Sequence, residues 1–263
     1  MLPATLITGA SSGIGRELTK LFAEDRQDLV LVARNRKKLD EFARDLTAAF
    51  GVAVRVIARD LARPDAPAEI AKELSNEGIV IHTLVNNAGF GAYGPFGETD
   101  GAKELEMLQV NIGALTQLTK LFLPPMLERK SGRILNVAST AAFQPGPLMA
   151  VYYASKAYVL SFTEALANEV AAQGVVVTAL CPGPTDTEFQ KEAGLEETHL
   201  FRSPFVQDAR SVARAGYAGL AAGKRIVIPG IANQVLAQAV RFSPRRLVTA
   251  SARWFQEQKK KKA

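Results

Sequence analysis

Ala4-Thr-Leu-Ile-Thr8-Gly9-Ala10-Ser11-Ser12-Gly13-Ile14-Gly15 stands near the start of the chain, and its reading decides the fold. A short apolar run, Ala4–Thr8, leads into three glycines, and a helical pattern follows near Arg16–Asp25. Glycine reaches positive φ without penalty and lets the backbone approach a ligand closely. The start of the following helix presents unpaired N–H groups and a partial positive charge to an anion. Gly9, Ser11, Ser12, Gly13, Ile14 and Gly15 are therefore candidates to cradle a pyrophosphate. The spacing is G-x-x-x-G-x-G rather than the commoner G-x-G-x-x-G. In isolation it is a weak signal, which a glycine-rich structural turn would also explain.

Further along the chain, short apolar runs alternate with longer helical stretches. The strand candidates are Ala4–Thr8, Leu29–Ala33, Val52–Ile57, Thr83–Asn86, Arg133–Ala138, Val175–Leu180 and Arg225–Ile228. They are rich in Val, Ile and Leu without clean alternation, as strands buried on both faces should be. Long helices are expected over about Ala102–Arg129 and Tyr152–Gln173. This order predicts an α/β fold: a single doubly wound, Rossmann-type parallel sheet of about seven strands with helices on both faces. Residues 1–230 form the expected catalytic domain, with a substrate lid near 188–205. Residues 231–263 form a basic, amphipathic extension of that domain. Ligands of such sheets sit at the carboxyl ends of the strands, and each motif below falls there.

Composition narrows the function classes. The chain has 263 residues, 48% hydrophobic and 22% charged, the balance of a globular protein. No apolar run approaches the ~18 residues of a membrane span, and no signal-peptide pattern opens the chain. Its single cysteine, Cys181, excludes an internal disulfide framework and suits a cytoplasmic setting. The net charge is +6, but four of those charges are Lys259 to Lys262. That argues against a nucleic-acid-binding face. His82 and His199 are too few and too far apart for a metal site.

Three further features carry chemistry. Tyr152 and Lys156 are four residues apart on an expected helix, so they share a face, with Tyr153 as a rival partner. A cation there favours the phenolate and lowers the tyrosine pKa. Ser139 ends the strand Ile134–Ala138, where its hydroxyl can hold a carbonyl oxygen; a turn or helix cap is its plainer reading. Arg34 follows the second strand in Ala33-Arg34-Asn35-Arg36-Lys37-Lys38, where NAD-preferring folds carry an acid. Arginine matches a 2′-phosphate instead, which predicts NADP(H) over NAD(H).

Together these elements resemble the classical short-chain dehydrogenase/reductase family, from about Thr5 to about Pro229. The resemblance implies hydride transfer between a nicotinamide and a carbonyl or secondary alcohol, with Tyr152 as general acid–base. It assigns Asn111, in Gln109-Val-Asn-Ile-Gly113, to a water-linked proton relay with Lys156. It places Asp60 and Leu61 at the adenine, although an Asp at a strand-to-loop turn reads as well structurally. It lines the cofactor with Asn87, Ala88 and Gly89, which also form turns readily. It sets Pro182, Gly183, Thr185 and Thr187 before the nicotinamide carboxamide. It further implies a homo-dimer or homo-tetramer through the two long helices. The alternatives are a cofactor-sensing regulatory protein, or a membrane-surface scaffold on the same fold, without turnover.

Phe90, Tyr93, Phe96, Phe143, Leu148, Met149, Phe189, Leu195, Phe201 and Phe205 are expected to wall a pocket for a hydrophobic substrate. The extension after Pro229 combines Ile231, Val235, Leu236, Val240, Leu247 and Trp254 with Arg241, Arg245 and Arg246. It suits weak contact with an anionic membrane surface, or packing on the protein itself.

Overall fold

The computed structural model describes residues 4–195, 197–200 and 206–257. The opening stretch forms β1 (Ala4–Thr8) and the glycine turn passes directly into α1 (Gly13–Glu24). β2 (Asp28–Ala33), α2 (Arg36–Phe50), β3 (Val54–Ala58), α3 (Ala66–Asn76) and β4 (Ile81–Asn86) complete the first half. α4 (Gly101–Leu108), α5 (Leu115–Glu128), β5 (Gly132–Val137), α6 (Ala150–Val170) and β6 (Val175–Leu180) follow. Then come β7 (Thr185–Asp186), α7 (Glu188–Glu192), β8 (Gln207–Asp208), α8 (Ala209–Ala221), β9 (Ile226–Val227), α9 (Ile231–Phe242) and α10 (Arg245–Gln256).

Seven strands pair in parallel in the order β3-β2-β1-β4-β5-β6-β9, the doubly wound sheet expected from the sequence. Neighbouring residues of a strand point to opposite faces, and each face has its own core. Val30 and Val32 pack with Ile70 of α3, Phe122 of α5 and Val170 of α6. Leu29 and Leu31 pack with Phe22 of α1, Phe42 of α2 and Val212 of α8. Burial on both faces is why these strands read as continuous apolar runs rather than alternating ones. The strand order reverses between β1 and β4, and a crevice opens there at the carboxyl ends.

Several elements differ from expectation at their bounds. The third strand runs Val54–Ala58, two residues later at its start than Val52. The long helix expected over 102–129 is interrupted by a π-helical turn, Gln109–Ala114, between α4 and α5. A π turn widens the backbone locally, and this one carries Asn111 toward the main chain of Phe90. Within α5, Pro124 and Pro125 each lack the N–H that an unbroken ladder would use. The short parallel pair β7–β8 brackets the segment where the lid is expected. Glu196, 201–205 and 258–263 lie outside the described residues, and with them Phe201, Phe205 and the four lysines.

Candidate active site

The crevice is a cleft of about 460 Å³ that runs from the glycine turn to α6 and the end of α10. Gly9, Ser11, Ser12, Gly13 and Ile14 form one wall. Gly9 and Gly13 have φ of +65° and +51°, conformations that favour glycine. Gly15 does not line the cleft; a Cβ there would overlap the Gly9 carbonyl, so it allows α1 to pack on the turn. Ser12 caps α1 without a side-chain hydrogen bond. The first-turn N–H groups of α1 are thus left for a ligand. Turn and helix start together fit a pyrophosphate.

Beyond β2 and β3 the lining includes Arg34, Asn35, Lys38, Arg59, Asp60 and Leu61. Asn35 accepts from the Lys38 N–H at 3.0 Å and caps α2, whose first turn holds no acid. Three cations at a helix start oppose the helix dipole, an arrangement that an added phosphate would relieve. Lys38 reaches Glu188 at 3.3 Å and Arg59 pairs with Glu69 and Glu73, whereas Arg34 makes no ion pair among the described residues. Asp60 accepts from the Ala62 N–H at 3.0 Å, so its carboxylate closes a turn while it lines the cleft.

Asn87, Ala88 and Gly89 floor the cleft. Asn87 donates to the carbonyls of Thr8 and Gly9, at 2.9 and 3.2 Å, and so ties β4 to the glycine turn. Pro182, Gly183, Thr185 and Thr187 face them. The Thr185 hydroxyl donates to the Gly183 carbonyl at 2.9 Å, which curls the loop back over the cleft.

Ser139, Tyr152 and Lys156 lie on the wall between the two halves. Ser139 caps a 3-10 turn, accepting from the Ala141 N–H at 3.1 Å, and its hydroxyl donates weakly to the Pro182 carbonyl at 3.3 Å. Lys156 is buried and donates to the Val137 carbonyl at 2.8 Å. Its ammonium lies 5.8 Å from the centre of the Tyr152 ring. Burial draws the Lys156 pKa down to about 8. The expectation that Lys156 lowers the Tyr152 pKa does not describe this geometry. Burial pushes the phenol well up, and the nearby Ser139 hydroxyl offsets only part of that.

Asn111 is buried behind the floor. It donates to the Phe90 carbonyl at 3.0 Å and to Ser155 Oγ at 3.0 Å, and accepts from the Phe90 N–H at 3.1 Å. Among the described residues it makes no hydrogen bond to Lys156. Gly89 lies between them: a Cβ there would sit 2.9 Å from Asn111 Oδ1 and 3.4 Å from Lys156 Nζ. Cys181 is fully buried, and burial pushes its thiol up to about 12. No cluster that could hold a metal ion exists among the described residues.

The apolar wall is only partly the expected one. Phe90, Met149, Phe189 and Leu195 line the cleft. Phe96 is 69% exposed, and Phe143 packs instead against the core cluster that contains Val159 and Leu160. Leu148 is absent from the lining and holds a left-handed turn at φ 68°. Tyr93 packs beside the cleft and donates to the Gln256 carbonyl at 2.9 Å. Sequence reasoning missed Asn35, Lys38, Arg59 and Gln256, which fold into the site from separate elements. For Gln256 a signal existed: it follows Val248 and Ala252 at four-residue spacing, a polar residue on the buried stripe of α10.

A family model described as short chain dehydrogenase matches residues 3–198. The very-long-chain 3-oxoacyl-CoA reductase of Anas platyrhynchos is 36% identical over 191 residues, 71% of this chain and 61% of that protein. The chain thus aligns with under two thirds of that relative's length. A short-chain dehydrogenase from Sphingobium yanoikuyae, solved in complex with NADPH, is 32% identical with a TM-score of 0.81, over 93% of this chain and 97% of that one. The bulky-bulky ketone specific alcohol dehydrogenase from Comamonas testosteroni is 30% identical with a TM-score of 0.78, over 92% and 93%.

Proposed function

This chain belongs to the short-chain dehydrogenase family, and we propose that it is an NADP(H)-dependent oxidoreductase acting on the carbonyl or secondary alcohol of a hydrophobic substrate. The observation that carries this reading is the placement of Ser139, Tyr152 and Lys156 on one wall of a cleft whose far end is the glycine turn. The cofactor, when bound, supplies or accepts the hydride.

The chain's own residues do the rest. The glycine turn and the α1 start would hold the pyrophosphate, and Arg34, supported by Lys38 and Arg59, the 2′-phosphate. Lys156 would hold the nicotinamide ribose. In reduction, the Ser139 hydroxyl turns from the Pro182 carbonyl to the substrate carbonyl oxygen and orients it. Tyr152, its phenol protonated at neutral pH, gives its proton to that oxygen as negative charge develops. The phenolate left behind takes a proton back by way of Lys156. Gly89, lacking a side chain, leaves a path between Lys156 and Asn111 by which the proton is replaced.

The chain is read as a homo-oligomer through α4, α5 and α6, where Leu105, Leu121 and Tyr158 are exposed. A peripheral membrane contact is supported by one observation: residues 231–256 contain no acid, while Ile231, Val235, Phe242 and Leu247 are exposed beside Arg241, Arg245 and Arg246. Among the described residues no helix is long and apolar enough to cross a membrane.

Parallel assays of NADPH and NADH oxidation over a panel of ketones, from acetoacetyl thioesters to steroids and aromatic ketones, test the proposal. Oxidation of NADPH with any member supports it. Tight NADPH binding without turnover across the panel favours a cofactor sensor.

A further inference from the structure

The substrate end of the cleft contains a polar group that the reaction does not use. Gln256, in the last turn of α10, is 1% exposed and lines the cleft. Its Nε2 donates to the Tyr153 hydroxyl at 2.6 Å, across 103 residues of chain. Its Oε1 is buried with no hydrogen-bond partner among the described residues. A buried amide oxygen without a donor is costly and rare. The surrounding lining is apolar, with Met149, Phe189, Leu195 and Leu200.

The placement of this amide is not incidental. Tyr93 holds the Gln256 backbone carbonyl at 2.9 Å. The N–H groups of His199 and Leu200 bind the carbonyls of Glu257 and Phe255 at 3.2 and 3.0 Å. Gly146 makes room for the Tyr153 ring, which a Cβ there would overlap. The end of α10 is thus fixed to three separate parts of the cleft wall, and Tyr153 adjoins Tyr152 in sequence. The Tyr153 hydroxyl can donate or accept. If the amide were rotated, Nε2 would be left unpaired in place of Oε1. Either way one amide atom awaits a partner, and a hydroxyl satisfies both cases.

We propose that Gln256 is a specificity-determining residue: it binds a hydroxyl carried by the substrate away from its reacting carbonyl. The preferred substrate is then a hydrophobic ketone with a second, polar end rather than a uniformly apolar one. This rests on the reaction proposed above and names the class of substrate that the site would prefer. It also gives α10 a role in the site, whatever its outer face contacts.

The test compares benzylacetone with its para-hydroxy analogue, and androsterone with its 3-deoxy analogue, using the full chain with NADPH. Two readouts run in parallel. One is kcat/KM; the other is binding followed by fluorescence of Trp254, the single tryptophan, which stacks on His199 at 4.7 Å, two residues before Gln256. The wild type should favour the hydroxylated member of at least one pair by on the order of tenfold, and Gln256→Met should bring that ratio close to one. Should Gln256→Met not fold, Tyr153→Phe, which removes the hydroxyl fixing the amide, should reduce the same ratio. Turnover with no preference in the wild type, or a preference that survives Gln256→Met, overturns this inference and leaves the reaction standing. A Trp254-detected preference that Gln256→Met abolishes, in a protein that turns over neither pair, upholds the subsite and counts against the reaction.

Discussion

Lys156 Nζ donates to the Val137 carbonyl at 2.8 Å, so the buried ammonium is fixed to the end of β5, immediately before the loop that carries Ser139. This bond joins α6 to the central sheet and sets the distance between Lys156 and Tyr152. The ammonium bears the cost of burial in order to stand there, and that cost is measurable.

Lys156 has an ordinary pKa of 10.5 that burial draws down to about 8. Between those values the unfolded chain binds more protons at this site than the folded one, so this group makes stability rise with pH. Below about 8 both states are protonated and the contribution is flat. Above about 9 the buried Cys181 thiol, held up to about 12, acts in the opposite sense. Chemical denaturation of the wild type should therefore show stability increasing from pH 8 to about 9. Lys156→Met should lack that increase, and should be inactive without being destabilised at pH 7.

Arg34→Asp should weaken NADPH binding on the order of 30-fold, the loss of a charged contact to a phosphate with a repulsive charge in its place. NADH affinity should change less than about threefold. Titration of both cofactors by fluorescence or calorimetry checks this. Equal losses for the two would show that Arg34 does not read the 2′-phosphate.

Asn111→Ala would leave the Phe90 N–H and carbonyl without their side-chain partner, a cost of about 1–3 kcal/mol in a buried setting. Thermal unfolding should register it. A solvent isotope effect on turnover that grows in the variant would place Asn111 on the proton path as well as in the scaffold.

Sedimentation with anionic vesicles at low salt should carry the protein down, and Phe242→Asp together with Val235→Asp should keep it in the supernatant. Binding that persists at high salt, or in the double variant, would not come from this basic, apolar face.

The sheet was legible because strands buried on both faces leave long apolar runs. The glycine turn and the Tyr152–Lys156 pair were legible because their geometry is local: a tight turn, and one turn of helix. What was not legible depends on distant chain. The π turn at Asn111 exists to meet Phe90, and no pattern in 109–114 announces it. Lys38 and Arg59 reach the Arg34 end of the cleft from α2 and from the chain after β3. Phe96 and Phe143 are as apolar as Phe189, and only the path of the loops sends the first to solvent and the second to the core. For Gln256 the four-residue spacing after Ala252 marks a buried position, but its hydrogen bond to Tyr153, 103 residues away, is what carries it into the site.

The most direct measurement of the central claim is NADPH oxidation by Tyr152→Phe beside the wild type, on whichever ketone the wild type reduces. The variant should bind NADPH within about threefold of the wild type and lose on the order of 10²–10⁴ in kcat, the usual contribution of a general acid. Turnover by Tyr152→Phe at the wild-type rate would contradict the assignment of Tyr152 and, with it, the mechanism.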